Sequence, residues 1–185
     1  LTAGLRDLRH VKEVHVVAVR NEVKELLWVL QANFSGTTKV VAANLSDSRE
    51  ETLSYLWPDT YSGDWAQIGH YLYEPNAAIM KAGAFEAVRL SYNLKKLHPL
   101  SHLFTSEQLI NFPGRRFQVK EVLPYGKEPL KKVSALKTAN ITVRNFPETV
   151  EELRKRTRLR DGGSDYLFFT TTGNQQKLIL LCEKI

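Results

Sequence analysis

The side chains best suited to chemistry in this sequence are cations. Arg115 and Arg116 follow Gly114 at the start of an expected strand. Lys131 and Lys132 share an expected helix, and Arg144 points outward from a short alternating strand. Arg154, Lys155, Arg156, Arg158 and Arg160 crowd an expected basic helix near the end of the chain. Lys and Arg neutralise phosphates, and the planar fork of Arg holds a pair of phosphate oxygens better than a Lys ammonium does. Tyr125, Phe146, Tyr166 and Phe168 are interleaved with these cations. Aromatic rings stack on unpaired bases. They equally suit a core, and a core place is the expectation for Phe168.

Other chemistry finds little support. His98 and His102 have the four-residue spacing that places two metal ligands on one helix face, but Pro99 between them disfavours a helix. Two ligands without a third do not make a site, so no metal is expected. His70, Tyr71, Tyr73 and Glu74 cluster in sequence without a nucleophile or cofactor motif beside them, and read as structural. Cys182 alternates with apolar neighbours and reads as a small core residue. No G-x-G-x-x-G or G-x-x-x-x-G-K-[ST] loop occurs. Asp161-Gly162-Gly163 is Gly-rich but follows a helix. Its default reading is a C-terminal cap and turn, and the alternative is a loop that lets a phosphate approach.

Charge is distributed in keeping with the cations. The 185 residues carry 26 Lys and Arg against 20 Asp and Glu, yet Leu94–Arg160 alone holds 15 basic and 6 acidic residues. The excess of the chain is therefore concentrated in its middle and late part, which points to a polyanionic partner. The bland reading is a solvated basic face. A single Cys excludes an internal disulfide and fits a reducing, cytoplasmic setting. No apolar run approaches the roughly 18 residues of a membrane span. Position 1 is Leu, Met80 is the only Met, and residues 1–7 lack a signal-peptide layout. The expectation is the C-terminal part of a longer chain.

The elements that must position these residues follow from periodicity. Glu13–Val19 is a nearly continuous apolar run, expected as a strand buried on both faces. Asn21 reads as an N-cap, with Val23, Leu26, Leu27 and Leu30 at helical spacing. Lys39–Leu45 is a second strand, making a βαβ unit in want of partners. Glu50–Trp57 reads as a strand, and 58–64 as a loop. Pro75 is expected in the first turn of a helix, Gly83 between two helices, and Ser106 as the cap of a brief helix through Ile110. From Arg115 the pattern is β-α-β-α-β-β. Its strands lie at 115–124 and 140–145, its first helix at 127–136, and a final hairpin turns at Gly173-Asn174. Its second helix opens with the T-x-x-E capping box Thr149–Glu152. The fold class is α/β to α+β.

Several ordered segments carry a resemblance. They are Tyr71-Leu72-Tyr73-Glu74-Pro75-Asn76 running to Lys81-Ala82-Gly83, Leu97-His98-Pro99, Phe112-Pro113-Gly114-Arg115, Glu121-Val122-Leu123-Pro124-Tyr125, Ile141-Thr142-Val143-Arg144-Asn145-Phe146-Pro147, and Leu159-Arg160-Asp161-Gly162-Gly163. Together they resemble bacterial class I S-adenosylmethionine-dependent methyltransferases with a C-terminal THUMP-like domain, in the Bacteroidetes-type version. The resemblance implies three parts: 1–45 as the last strands of a Rossmann-like methyltransferase sheet, 46–112 as a ferredoxin-like domain, and 113–185 as a THUMP-like domain. It implies RNA as partner, tRNA or rRNA, together with the N-terminal methyltransferase domain of the same chain. It implies S-adenosylmethionine for the longer protein and no cofactor or catalytic residue within these 185 residues. In many such enzymes the sheet ends in an antiparallel hairpin, whereas a helix is expected here between the first two strands. A stand-alone nucleic-acid-binding module and a protein-interaction domain are the competing readings.

Overall fold

The computed structural model describes residues 1–185, and they form two compact units. The first comprises 1–63, 75–93 and 112–114; the second comprises 64–74, 94–111 and 115–185.

The first unit is built on a four-stranded sheet of order β2-β1-β3-β4, with β1 Val11–Val19, β2 Glu22–Leu30, β3 Lys39–Leu45 and β4 Glu50–Leu56. A short helix, α1 (Thr2–Asp7), precedes it. The expected helix over 23–30 is absent. Arg20 and Asn21 both adopt left-handed backbone, φ 49° and 64°, and Val19 pairs with Glu22. Two consecutive left-handed residues make the hairpin turn whose twist matches its strands, and Asn tolerates that conformation. Asn21 is thus a turn residue, and β2 runs antiparallel to β1. The βαβ reading gives way to a hairpin, while β1 and β3 do pair in parallel. β1 is also not buried on both faces. Val14, Val16 and Ala18 are fully buried and their alternates are only partly so. The buried face is covered by α2 (Ala77–Ala82), which packs on β1, β2 and β3.

Pro75 does not enter the first turn of α2, which starts at Ala77. Pro75 ends strand β5 (Tyr71–Pro75), and Asn76 is the cap, its side chain accepting from the Ile79 N–H at 3.0 Å. Gly83 separates α2 from α3 (Phe85–Tyr92) as expected, in left-handed backbone at φ 71°. A polar network ties this unit together. The Glu51 carboxylate accepts from Asn44 at 3.1 Å and Asn76 at 3.0 Å, and Asn21 accepts from the Ala77 N–H at 2.7 Å.

The second unit is a seven-stranded sheet of order β6-β7-β5-β8-β11-β10-β9. Its strands beyond β5 are β6 Lys95–Lys96, β7 Phe104–Ser106, β8 Gly114–Pro124, β9 Asn140–Arg144, β10 Asp165–Thr171 and β11 Lys177–Lys184. From β8 onward the order β-α-β-α-β-β matches the sequence reading, with α4 Lys127–Ser134 and α5 Val150–Thr157. β9 and β10 are parallel; β10/β11 and β11/β8 are antiparallel. Strand alternation sends side chains to two cores. On one face Leu167, Phe169 and Ile179 meet Leu130 and Val133 of α4 and Leu153 of α5. On the other, Phe117, Phe168, Leu180 and Cys182 meet Leu72, Leu97 and Leu103. Each fully buried Phe or Leu contributes about 1.5–3 kcal/mol, so both faces are needed to hold the sheet. Phe168 and Cys182 are core residues as expected, whereas Val122 on β8 is exposed.

No helix follows Ser106, which ends β7. The Tyr73 hydroxyl accepts from the Ile110 N–H and donates to the Gln108 carbonyl, each at 3.0 Å, taking backbone groups that a helical turn would use. The capping box of α5 is present in full, with Thr149 and Glu152 bonding reciprocally. The helix it opens ends at Thr157, earlier than expected. Arg158 is its left-handed cap at φ 59°, and Arg160 lies beyond it in a bridge to Thr138.

Candidate nucleic-acid interface

The ten sequence-predicted cations fall into two groups. Five hold carboxylates of their own unit. Arg115 and Arg144 both fork onto Glu74, a residue only 4% exposed. Arg154 bonds Asp161 and the Leu159 carbonyl. Arg156 bonds Glu148 at 2.8 Å and the Tyr125 hydroxyl at 2.7 Å, with its guanidinium 5.8 Å from the Tyr125 ring centre. Lys132 bonds Glu121 at 2.5 Å.

The other five keep their charge available. Lys131, Lys155, Arg158 and Arg160 are exposed and Arg116 is half-buried, and none of their side chains takes a carboxylate in a hydrogen bond. Topology brings most of them to one place. α4 and α5 feed the parallel strands β9 and β10, so their C-terminal ends lie at the same end of the sheet. β8 runs in the same direction as β10, because each is antiparallel to β11, and Arg116 lies at its start. The Arg160 N–H donates to the Lys137 carbonyl at 3.0 Å, which adds Lys137, exposed and not singled out from the sequence. Its signal was its place just beyond a helix C-terminus, where a cation also complements the helix dipole.

Asp161-Gly162-Gly163 follows at this end. Gly162 and Gly163 are left-handed at φ 107° and 84°. Nothing lies within 4 Å of where a Cβ at Gly162 would be, so that backbone is open to a ligand from solvent.

A second cluster in the same unit gathers the segments of the family resemblance. Glu74, Arg115, Arg144, His98 and Asn145 come from four of those segments: Arg115 and Arg144 bond Glu74, and Asn145, next in the chain after Arg144, bonds His98. His98 Nδ1 accepts from the Leu100 N–H at 3.0 Å, so it is unprotonated and the Asn145 amide donates to it at 2.9 Å. Burial, with the positive charge of Lys96 beside it, holds His98 below its ordinary value. Burial pushes His102 down to about 4, reinforced by Lys96 and Arg144. Both rings are neutral at pH 7, and neither joins a metal site: no group of three or more His, Cys, Asp or Glu could hold an ion. Burial likewise raises the Cys182 thiol to about 12, which makes it inert.

Residues 71–113 match a ferredoxin-like domain, and residues 114–184 match a THUMP domain-like family. The chain carries a ferredoxin-like domain followed by a THUMP-like domain. It is also similar to the crystal structure of a candidate methyltransferase from Porphyromonas gingivalis, at 38% identity and a TM-score of 0.90 over 97% of this chain. The chain spans about half of that protein's length, 47%. No curated protein matches it. The cation-rich end of the sheet lies within the THUMP-like domain, and no helix of the chain is long and apolar enough to cross a membrane.

Proposed function

We propose that this chain is the RNA-positioning part of an S-adenosylmethionine-dependent RNA methyltransferase, acting with an N-terminal methyltransferase domain on tRNA or rRNA in the cytoplasm. The observation that carries the reading is the end of the THUMP-like domain where Arg116, Lys131, Lys137, Arg158 and Arg160 project without carboxylate partners. Phosphate contacts of this kind fix where a nucleic acid lies and leave its sequence unread. The likeness to a candidate methyltransferase supports the enzymatic context. S-adenosylmethionine is, in this reading, held by residues outside these 185. In this reading Arg115, Arg144, Arg154, Arg156 and Lys132 shape the surface through their carboxylates and contribute less to binding. A stand-alone binding module is the second reading, favoured only by the absence of a Gly-rich cofactor loop here.

The test is filter binding of tRNA across a salt series. Contacts to about five phosphates give a slope of log K against log salt of about −4. Replacing Lys131, Arg158 and Arg160 together with Ala, Gly and Ala flattens the slope by about two to three, at ~0.9 for each lost contact. Equal slopes for the two proteins would return this surface to ordinary solvated charge. Calorimetry with S-adenosylmethionine is expected to show no saturable binding by this chain.

A further inference from the structure

The sheet face opposite α4 and α5 bears an open groove of about 780 Å³, bounded by residues 64–68 and by the turn between β10 and β11. Its chemistry differs from that of the cation-rich end. Trp65 lines it and is 43% exposed. The indole is set by Gly173, where a Cβ would stand 2.6 Å from the Trp65 Cβ, so no larger residue fits. Gly173 is itself held by its N–H donating to the Leu97 carbonyl at 2.8 Å. Ile68, Val122 and Leu178 supply an apolar floor. Gln67, Asn174 and Gln176 supply primary amides, and those of Gln67 and Gln176 bond to nothing in the chain. Thr172 engages the Asn174 carbonyl at 2.5 Å, which orients that amide and leaves its NH₂ free to donate. Asp64 is the only charged residue in the lining.

A flat aromatic, an apolar floor and several amides with almost no charge suit a neutral planar ring with a hydrogen-bonding edge. We propose that this groove takes an unpaired nucleobase of the RNA, stacked on Trp65 and read along its edge by Gln67, Asn174 and Gln176. The inference rests on the RNA reading above and adds a base-contacting site to it. Amide side chains pair with base edges in two-point contacts, and aromatic stacking tolerates any base, so the groove selects single strand over duplex first.

The experiment uses the whole chain with a short single-stranded RNA containing 4-thiouridine, irradiated and mapped by mass spectrometry. Anisotropy follows with the same oligomer and with its abasic counterpart. Crosslinks are expected in 64–68 or 174–178. Trp65→Ala should weaken binding of the base-bearing oligomer roughly ten-fold, the size of one base–aromatic stack, and leave the abasic oligomer unchanged. Gln176→Ala, on an exposed turn, tests the edge contact without touching the core, should Trp65→Ala not fold. Crosslinks confined to 116, 131–137 and 155–160, with equal binding of both oligomers, overturn the groove while the cation surface stands. Loss of all binding at low salt, to tRNA as well, overturns both readings.

Discussion

Arg144 and Glu74, seventy residues apart in sequence, meet with Nε and Oε1 at 2.9 Å, and Arg115 holds the other oxygen of the same carboxylate. One buried anion thus joins β5, β8 and β9. β9 is an edge strand of the sheet and does not border β5. Charge-assisted forks of this kind are about twice as strong as neutral hydrogen bonds. Removing the shared partner leaves two guanidiniums without a counter-ion. Breaking a fully buried pair costs about 3–5 kcal/mol. Both arginines are about one-third exposed and can recruit water, so Glu74→Gln should cost about 2 kcal/mol. Urea melts of Glu74→Gln, Arg144→Gln and the double variant should show clear non-additivity. Additive losses would mean the clamp carries no coupling.

Arg156 and Arg158 are two residues apart and should behave in opposite ways. Arg156 closes a network with Glu148 and Tyr125, in which burial and the Glu148 hydrogen bond raise the Tyr125 hydroxyl to about 12. Arg156→Ala should therefore lower stability measurably and hardly change the salt slope of RNA binding. Arg158 sits in left-handed backbone, where Gly is unstrained. Arg158→Gly should leave stability unchanged or slightly higher, and flatten the slope by ~0.9. The reverse pattern would place the phosphate contact on Arg156.

His102 makes stability depend on pH. Its folded value, about 4, lies below the ordinary 6.5, so the unfolded chain binds the proton more readily. The contribution is constant above pH 6.5 and stability falls as pH drops from 6.5 toward 4. The loss is at most about 3.4 kcal/mol, from roughly 2.5 pH units at 1.36 kcal/mol each. His102 is left-handed, φ 54°, and Asn tolerates that backbone. Melting His102→Asn at pH 7 and pH 4.5 should show a smaller difference than wild type, and an equal one would remove His102 as the cause.

Thr149 caps α5 with the reciprocal bond from Glu152, both exposed. Thr149→Ala leaves the Glu152 N–H without its acceptor and should cost about 1 kcal/mol. Thr149→Ser should restore most of it. A silent Thr149→Ala would show that α5 is held by the Leu153 core alone.

Local pattern carried much of this protein. The capping box of α5, the strands β3, β4 and β8 to β11, the left-handed Gly83 and the burial of Phe168 and Cys182 follow from side-chain period and backbone chemistry within a few residues. The failures are where local signals compete. Val23, Leu26, Leu27 and Leu30 fit a helix by spacing, but two left-handed residues before them turned the chain back onto β1, and pairing outweighed period. The expected turn of helix after Ser106 lost its backbone groups to the Tyr73 hydroxyl, 35 and 37 residues away. Charge was legible as a total and not as a surface. Sequence lists Arg115, Arg144, Arg154, Arg156 and Lys132 as cations like the rest. Tertiary structure gives each a carboxylate: Glu74 lies 41 and 70 residues from Arg115 and Arg144, beyond any local pattern, and the partners of Arg154, Arg156 and Lys132, 7 to 11 residues away, are brought within reach only by the turn of the chain between them. The same holds for the groove, whose Trp65 and Gln176 lie more than a hundred residues apart and line one wall because Trp65 bridges Lys96 and the Gly173 N–H bonds the neighbouring Leu97 carbonyl.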